Sequence, residues 1–241
     1  MANYGALVDS VIMQSDIILL VLDARRVKES INKDILEKLE GKKFIYVINK
    51  IDLVTKKEQN KIKLANSVMV SAIKHIGTMV LLRKIMEVGR GEEVVVGVVG
   101  FPNTGKSTVI NALKGRHSAP TSPRAGYTRG LQKIRVSKKL ILIDSPGVFS
   151  HVAGKMKKID KLIIGSVDAD KIKDTENAAI ELIEALDGKI ERFFKVKKQE
   201  DAYDVLEEIA FKKNILKRGG IADIARMGKE IIRMWQKGKI V

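Results

Sequence analysis

Val94-Val95-Val96-Gly97-Val98-Val99-Gly100-Phe101-Pro102-Asn103-Thr104-Gly105-Lys106-Ser107 is the stretch that decides the fold. A short apolar run ends at a glycine, a second glycine follows with Lys-Ser behind it, and helical spacing resumes over Thr108–Leu113. Strand, glycine-bracketed turn and helix start together form the arrangement that cradles phosphate oxygens on backbone N–H groups. The glycines let the backbone come close. Lys106 is then placed to reach the terminal phosphates, and the Ser107 hydroxyl to hold Mg²⁺. A chance glycine-rich turn would not require a strand before it and a helix after it.

Working outward, four more short apolar runs end in polar residues. Ile17–Leu22 ends at Asp23, Phe44–Ile48 at Asn49, Val68–Val70 at Ser71, and Leu140–Ile143 at Asp144. Ile134–Val136 reads as an antiparallel edge partner of the last, turned by Ser137-Lys138-Lys139. Runs that are short and apolar throughout suit strands covered on both faces. The segments between them, Ile31–Leu39 and Thr78–Val88 among them, have helical spacing. This alternation predicts an α/β fold with a doubly wound, mostly parallel sheet. The polar residues all follow the C-terminal ends of strands, where open α/β sheets bind ligands. After Asp174 only helical patterns remain: Asn177–Leu186, Ala202–Ala210 and, past Gly219-Gly220, Ile221–Gln236. The expected division is therefore a sheet domain over 1–174 and a small all-helical domain over 175–241.

The 241 residues contain no cysteine, which excludes disulfides and thiolate metal sites and fits a reducing compartment. No apolar run is long enough to span a bilayer, and the start of the chain lacks a signal-peptide pattern, so the expected setting is cytoplasmic. Net charge is +16. A polyanion such as nucleic acid is the partner this charge favours, although lysine enrichment for solubility or heat would also produce it. The excess is uneven: Val94–Ile143 has no Asp or Glu, and Lys212–Lys239 is strongly basic. On the last helix, Ile224, Gly228, Ile231 and Trp235 share one face, and Arg226, Lys229, Arg233 and Lys237 the opposite one. That basic stripe is either a track for phosphates or an ordinary solvated face.

Asn49-Lys50-Ile51-Asp52 resembles the NKxD guanine motif. An Asp52 carboxylate accepts from the N1–H and exocyclic amine of guanine, Asn49 bonds its O6/N7 edge, and adenine is rejected because these groups would be left unpaired. The alkyl stem of Lys50 is expected to pack across the loop. Ser71-Ala72-Ile73 resembles the SAK motif behind the base, with Ile in place of Lys, so only Ser71 and Ala72 carry over. Asp144-Ser145-Pro146-Gly147 resembles DxxG, which assigns Asp144 to Mg²⁺ and the Gly147 N–H to the γ-phosphate. Arg124-Ala125-Gly126-Tyr127-Thr128-Arg129-Gly130-Leu131-Gln132 resembles PGxTxGxQ, so Thr128 is the expected switch threonine on Mg²⁺ and the γ-phosphate, with Thr121 as second choice. Asn103, Thr104, Gly105, Lys106, Ser107 and Thr108 complete the expected GTP/GDP contacts.

The guanine motif precedes the phosphate loop, the reverse of the usual order. With Asp23-Ala24-Arg25 matching DAR, and Lys217-Arg218-Gly219-Gly220, Asp223 and Gln236–Ile240 in the tail, the chain resembles circularly permuted GTPases of the YlqF/YawG type, in particular an archaeal-type member. That family includes the bacterial ribosome biogenesis GTPase A and its archaeal and eukaryotic relatives. The resemblance implies GTP hydrolysis as a switch in large-subunit assembly, with rRNA and the large ribosomal subunit as partners of a monomer, and catalytic roles for Lys106, Thr128, Gly147 and Asn103. Val148 stands where many GTPases carry a water-orienting Gln, and the PGHM-like segment of bacterial relatives is missing, so slow intrinsic turnover is expected. His117 and His151 flank the switches but read as exposed loop residues. Asn103 resembles the asparagine of potassium-dependent GTPases, which implies K⁺ stimulation. Switch II, from Gly147 to about Lys158, leads into the helical domain, so γ-phosphate loss is expected to re-aim that domain. Two other readings remain open: a GTP-dependent RNA-docking module with negligible hydrolysis, and a GTPase acting on another RNA.

Overall fold

In the computed structural model, residues 4–31, 33–115, 132–144, 158–163, 165, 167 and 169–240 are described. The chain divides into two compact units, Met1–Gly154 and Lys155–Val241.

The first unit is built on a six-stranded sheet ordered β3-β2-β1-β4-β6-β5. Its strands are β1 (Ile17–Asp23), β2 (Lys43–Asn49), β3 (Ser67–Met69), β4 (Val94–Val99), β5 (Gln132–Ser137) and β6 (Leu140–Asp144). All neighbours pair in parallel except β5, which runs antiparallel to β6 at the edge. Every residue of β1 is buried, as a central strand covered on both faces requires. On one face, Ile17, Leu19, Val21, Ile45, Val47, Val96 and Val98 share a core with Leu81 and Ile85 of α4 (Thr78–Val88) and with Val109 and Ile110 of α5 (Lys106–Lys114). On the other, Val11 of α1 (Tyr4–Met13) lies over Gly97 and Ile18. Two short helices, α2 (Lys33–Lys38) and α3 (Lys56–Lys61), complete this unit. Thr55 and Glu58 form a reciprocal capping box that starts α3 despite its lack of buried residues.

The second unit is helical: α6 (Lys158–Ile163), α7 (Thr175–Ala185), α8 (Lys189–Phe194), α9 (Ala202–Lys212) and α10 (Ile224–Gln236). Asp174, Asp201 and Asp223 cap the three long helices through backbone N–H groups. The unit begins well before the expected boundary at 174/175. Leu162, Ile163 and Ala169 are buried in one core with Leu182, Leu206, Ile231 and Trp235, and the Trp235 indole N–H donates to the Ile163 carbonyl at 2.7 Å. Leu162, Ile163 and Ala169 thus belong to the helical core, although they fall before the expected boundary. The final helix starts at Ile224, three residues after the expected Ile221, because Leu216 and Ala222 bridge across a tight loop at Gly219-Gly220. No helix among the described residues is long and apolar enough to cross a membrane.

Candidate nucleotide site

The C-terminal ends of β1, β2 and β4 carry the site. At the end of β4 the loop turns through Asn103, whose φ of 61° is left-handed, and enters α5 at Lys106. The Lys106 ammonium is buried and donates to the Phe101 carbonyl at 2.8 Å; the Thr104 hydroxyl donates to the same oxygen at 2.8 Å. Both donors therefore hold the floor of the loop, and Lys106 has an acceptor there that a phosphate oxygen can replace. Ser107 and Thr108, in the first turn of α5, are exposed on the open side. The expected cradle is present, and the helix start points at the space it encloses.

Asn49, expected at the base edge, is bonded to two other loops. Its Oδ1 accepts the Ala72 N–H at 3.1 Å, and its Nδ2 donates to the Thr104 carbonyl at 2.9 Å. The side chain is thus a buried tie between the base-reading loops and the phosphate loop. Having spent Oδ1 and one amide proton, it retains one N–H for the acceptor edge of a base. Gly105 is required by this tie: a Cβ there would stand 2.3 Å from Asn49 Nδ2, and its φ is 93°.

Ser71, expected behind the base, bonds through its side chain. It is fully buried, and its hydroxyl donates to Asp52 Oδ1 at 2.6 Å, fixing the carboxylate expected to face the base. The Ser71–Ile76 loop is closed by N–H to carbonyl bonds at 3.0 Å in both directions, and Ala72 is buried within it. Ile73, by contrast, stands largely exposed.

The ammonium of Lys50 reaches across to the Asn103 carbonyl and pairs with Asp23 Oδ2 at 2.9 Å. Asp23 is itself gripped by Arg25. Its Oδ1 accepts the Arg25 N–H and Nε–H at 3.0 Å each, and Oδ2 accepts an Nη2–H at 2.8 Å. Burial alone would raise the Asp23 pKa, but Arg25 and then Lys50 outweigh it and bring it to about 2. The sequence marked Asp23 and Arg25 only as a family match; the available signal was a charged pair closing an apolar strand at the ligand-binding edge.

Asp144 ends β6 in register with Val98 of β4, which sets its backbone beside the strand leading into the phosphate loop. Ser107 and Asp144 offer oxygen donors only, the set Mg²⁺ takes. Thr128, Gly147, Thr121, Val148, Phe149, His117 and His151 lie outside the described residues.

In the helical unit, Arg226, Lys229, Arg233, Lys237 and Lys239 line a groove of about 350 Å³ together with Glu230 and Met234. The stripe is partly neutralised by Asp170, which pairs with Lys229 at 2.8 Å and with Arg233.

Residues 95–203 match the family model described as a 50S ribosome-binding GTPase. An uncharacterised GTP-binding protein of Methanocaldococcus jannaschii is 37% identical over 97% of the chain and 65% of its own length. The GTPase grn1 of Schizosaccharomyces pombe is 30% identical over 95% of the chain and 59% of its own length. The chain thus spans about three-fifths of these relatives. The structure of YlqF from T. maritima with GNP bound superposes with a TM-score of 0.67, covering 98% of this chain and 94% of that one at 23% identity.

Proposed function

We propose, for a chain that belongs to the circularly permuted GTP-binding proteins of the YlqF type, that it hydrolyses GTP and uses the cycle as a switch in large-subunit assembly through rRNA contacts. The observation that carries the proposal is the Asn49 tie. One buried amide joins the base-reading loops to the phosphate loop, so both halves of a guanine nucleotide meet a single pre-formed surface. Asp52 selects guanine through its N1–H and amine. Lys106 leaves Phe101 to meet the β- and γ-phosphates. Ser107 and Asp144 would hold Mg²⁺, which supplies charge neutralisation on the phosphates. Thr128 and the Gly147 N–H sense the γ-phosphate. Asn103 would add K⁺ beside the phosphates, in the place of an arginine finger. The basic groove on α10 is the surface we assign to RNA phosphates.

The test is the GTPase rate in K⁺ buffer, with and without large ribosomal subunits or their precursors, and with small subunits as control. Stimulation by large particles alone supports the assembly switch. Stimulation by another RNA, or binding without turnover, would replace it. Equal rates in Na⁺ and K⁺ would remove the role given to K⁺.

A further inference from the structure

We infer that Asp23 and Arg25 are positioning residues for guanine recognition: they clamp Lys50 across the phosphate loop and so fix the aim of Asn49 and Asp52. This rests on the GTP-binding reading above, and extends it to two residues at the end of β1 and in the turn that follows it.

Lys50 lies between Asn49 and Asp52, and its backbone is left-handed, with φ 64° and ψ 34°. A non-glycine residue holds that conformation only when its surroundings enforce it. The enforcement here comes from the end of the side chain. Its ammonium is held on one side by the Asn103 carbonyl and on the other by Asp23 Oδ2 at 2.9 Å. Asp23 cannot turn away, because both its oxygens are occupied by the guanidinium and backbone N–H of Arg25 at 2.8–3.0 Å. The Asp23 and Arg25 side chains are 2% and 3% exposed, so water does not compete for these bonds. The backbones are joined as well, by the Ala24 N–H to the Asn49 carbonyl at 2.8 Å. Burial lowers the Lys50 pKa and the Asp23 charge opposes that shift, so without Asp23 the ammonium would stand beside Arg25 with only the Asn103 carbonyl and the weaker pull of the Asp52 charge. Lys50 would then leave, freeing the Asn103 carbonyl and relaxing the left-handed turn that aims the two base-reading side chains.

The experiment is a double-mutant cycle on GDP affinity, with Asp23→Asn and Lys50→Met made singly and together in the full chain. Saturable GDP binding by the unaltered protein is measured first, and its absence would sink the GTP-binding reading rather than this one. Asp23→Asn is expected to weaken GDP roughly 10- to 100-fold, the loss typical when a residue that orients a ligand-binding side chain is removed. It should also narrow the preference for GDP over IDP, which lacks the amine read by Asp52. In the Lys50→Met background the same change should cost less than about threefold, because its route through Lys50 is gone. Should Asp23→Asn fail to fold, Arg25→Lys keeps the charge, loses the fork and enters the same cycle with the same expectation. Equal losses in both backgrounds, or an unchanged GDP-to-IDP ratio, would overturn the inference.

Discussion

Asn49→Ala should destabilise the protein even with no nucleotide present. The side chain satisfies the Ala72 N–H and the Thr104 carbonyl, and both residues are buried, at 2% and 0% exposure. Truncation leaves a donor and an acceptor without partners. Each costs about 1–3 kcal/mol, so the total is about 2–6 kcal/mol. In a unit of this size that lowers the melting temperature by roughly 4–24 °C. The assay is hydrogen exchange at β1 and β2 amides in the nucleotide-free protein, because the single tryptophan, Trp235, belongs to the other unit. Protection there should fall in the alanine variant. Asn49→Asp should be at least as damaging, since it sets an oxygen against the Thr104 carbonyl. Wild-type protection in nucleotide-free Asn49→Ala would mean that the residue serves the base alone and that the loops are held by something else.

Asp23 also makes stability pH-dependent. Its pKa is lowered from 3.8 to about 2 on folding, so its contribution is complete above about pH 4 and is lost as pH falls through 2. That contribution is about 2 kcal/mol, and the stability gap between wild type and Asp23→Asn should shrink over this window in acid titrations followed by urea unfolding. Asp52→Asn should weaken GDP more than tenfold while improving XDP, because the amide presents an N–H to the 2-oxo group of xanthine; nucleotide competition measures this, and unchanged selectivity would remove Asp52 from base reading. Gly228→Ala should destabilise the helical unit by about 1–3 kcal/mol, since its Cβ would meet the Thr175 carbonyl oxygen at 2.6 Å and Ala179 Cβ at 3.0 Å; Trp235 fluorescence during denaturation reports it, and an unchanged midpoint would refute the α7–α10 packing.

Much of this architecture was legible because the apolar runs are too short for helices and each is closed by a polar or turn residue. The antiparallel β5–β6 hairpin and the span of α4 at Thr78–Val88 follow the sequence pattern directly. The helix α1 was not read: Tyr4–Met13 carries neither an acidic first turn nor a basic last turn, and its apolar residues do not form a clean stripe. The nucleotide motifs were legible because their residue types and spacing are dictated by the phosphate and the base. The way they are joined was not. Asn49 meets Thr104, and Lys50 meets Asp23, across long stretches of sequence, and only the sheet order brings them together. The domain boundary failed for a similar reason: Leu162 and Ile163 reveal their membership only through a tertiary core.

The strand order has a consequence for how the molecule is made. Strands β1, β2 and β3 are adjacent in the sheet and leave the ribosome first, whereas β4, which completes β1 on its other side, is translated after them. A nascent chain ending at Arg90 therefore presents the edge of β1 that β4 later pairs, along the apolar Ile17–Leu20, with its backbone donors and acceptors bare. During that interval the base-reading half cannot be templated by a nucleotide, because the cradle for its phosphates has not been synthesised. In this order the β1 edge stays unpaired until Val94–Val99 has been made to cover it.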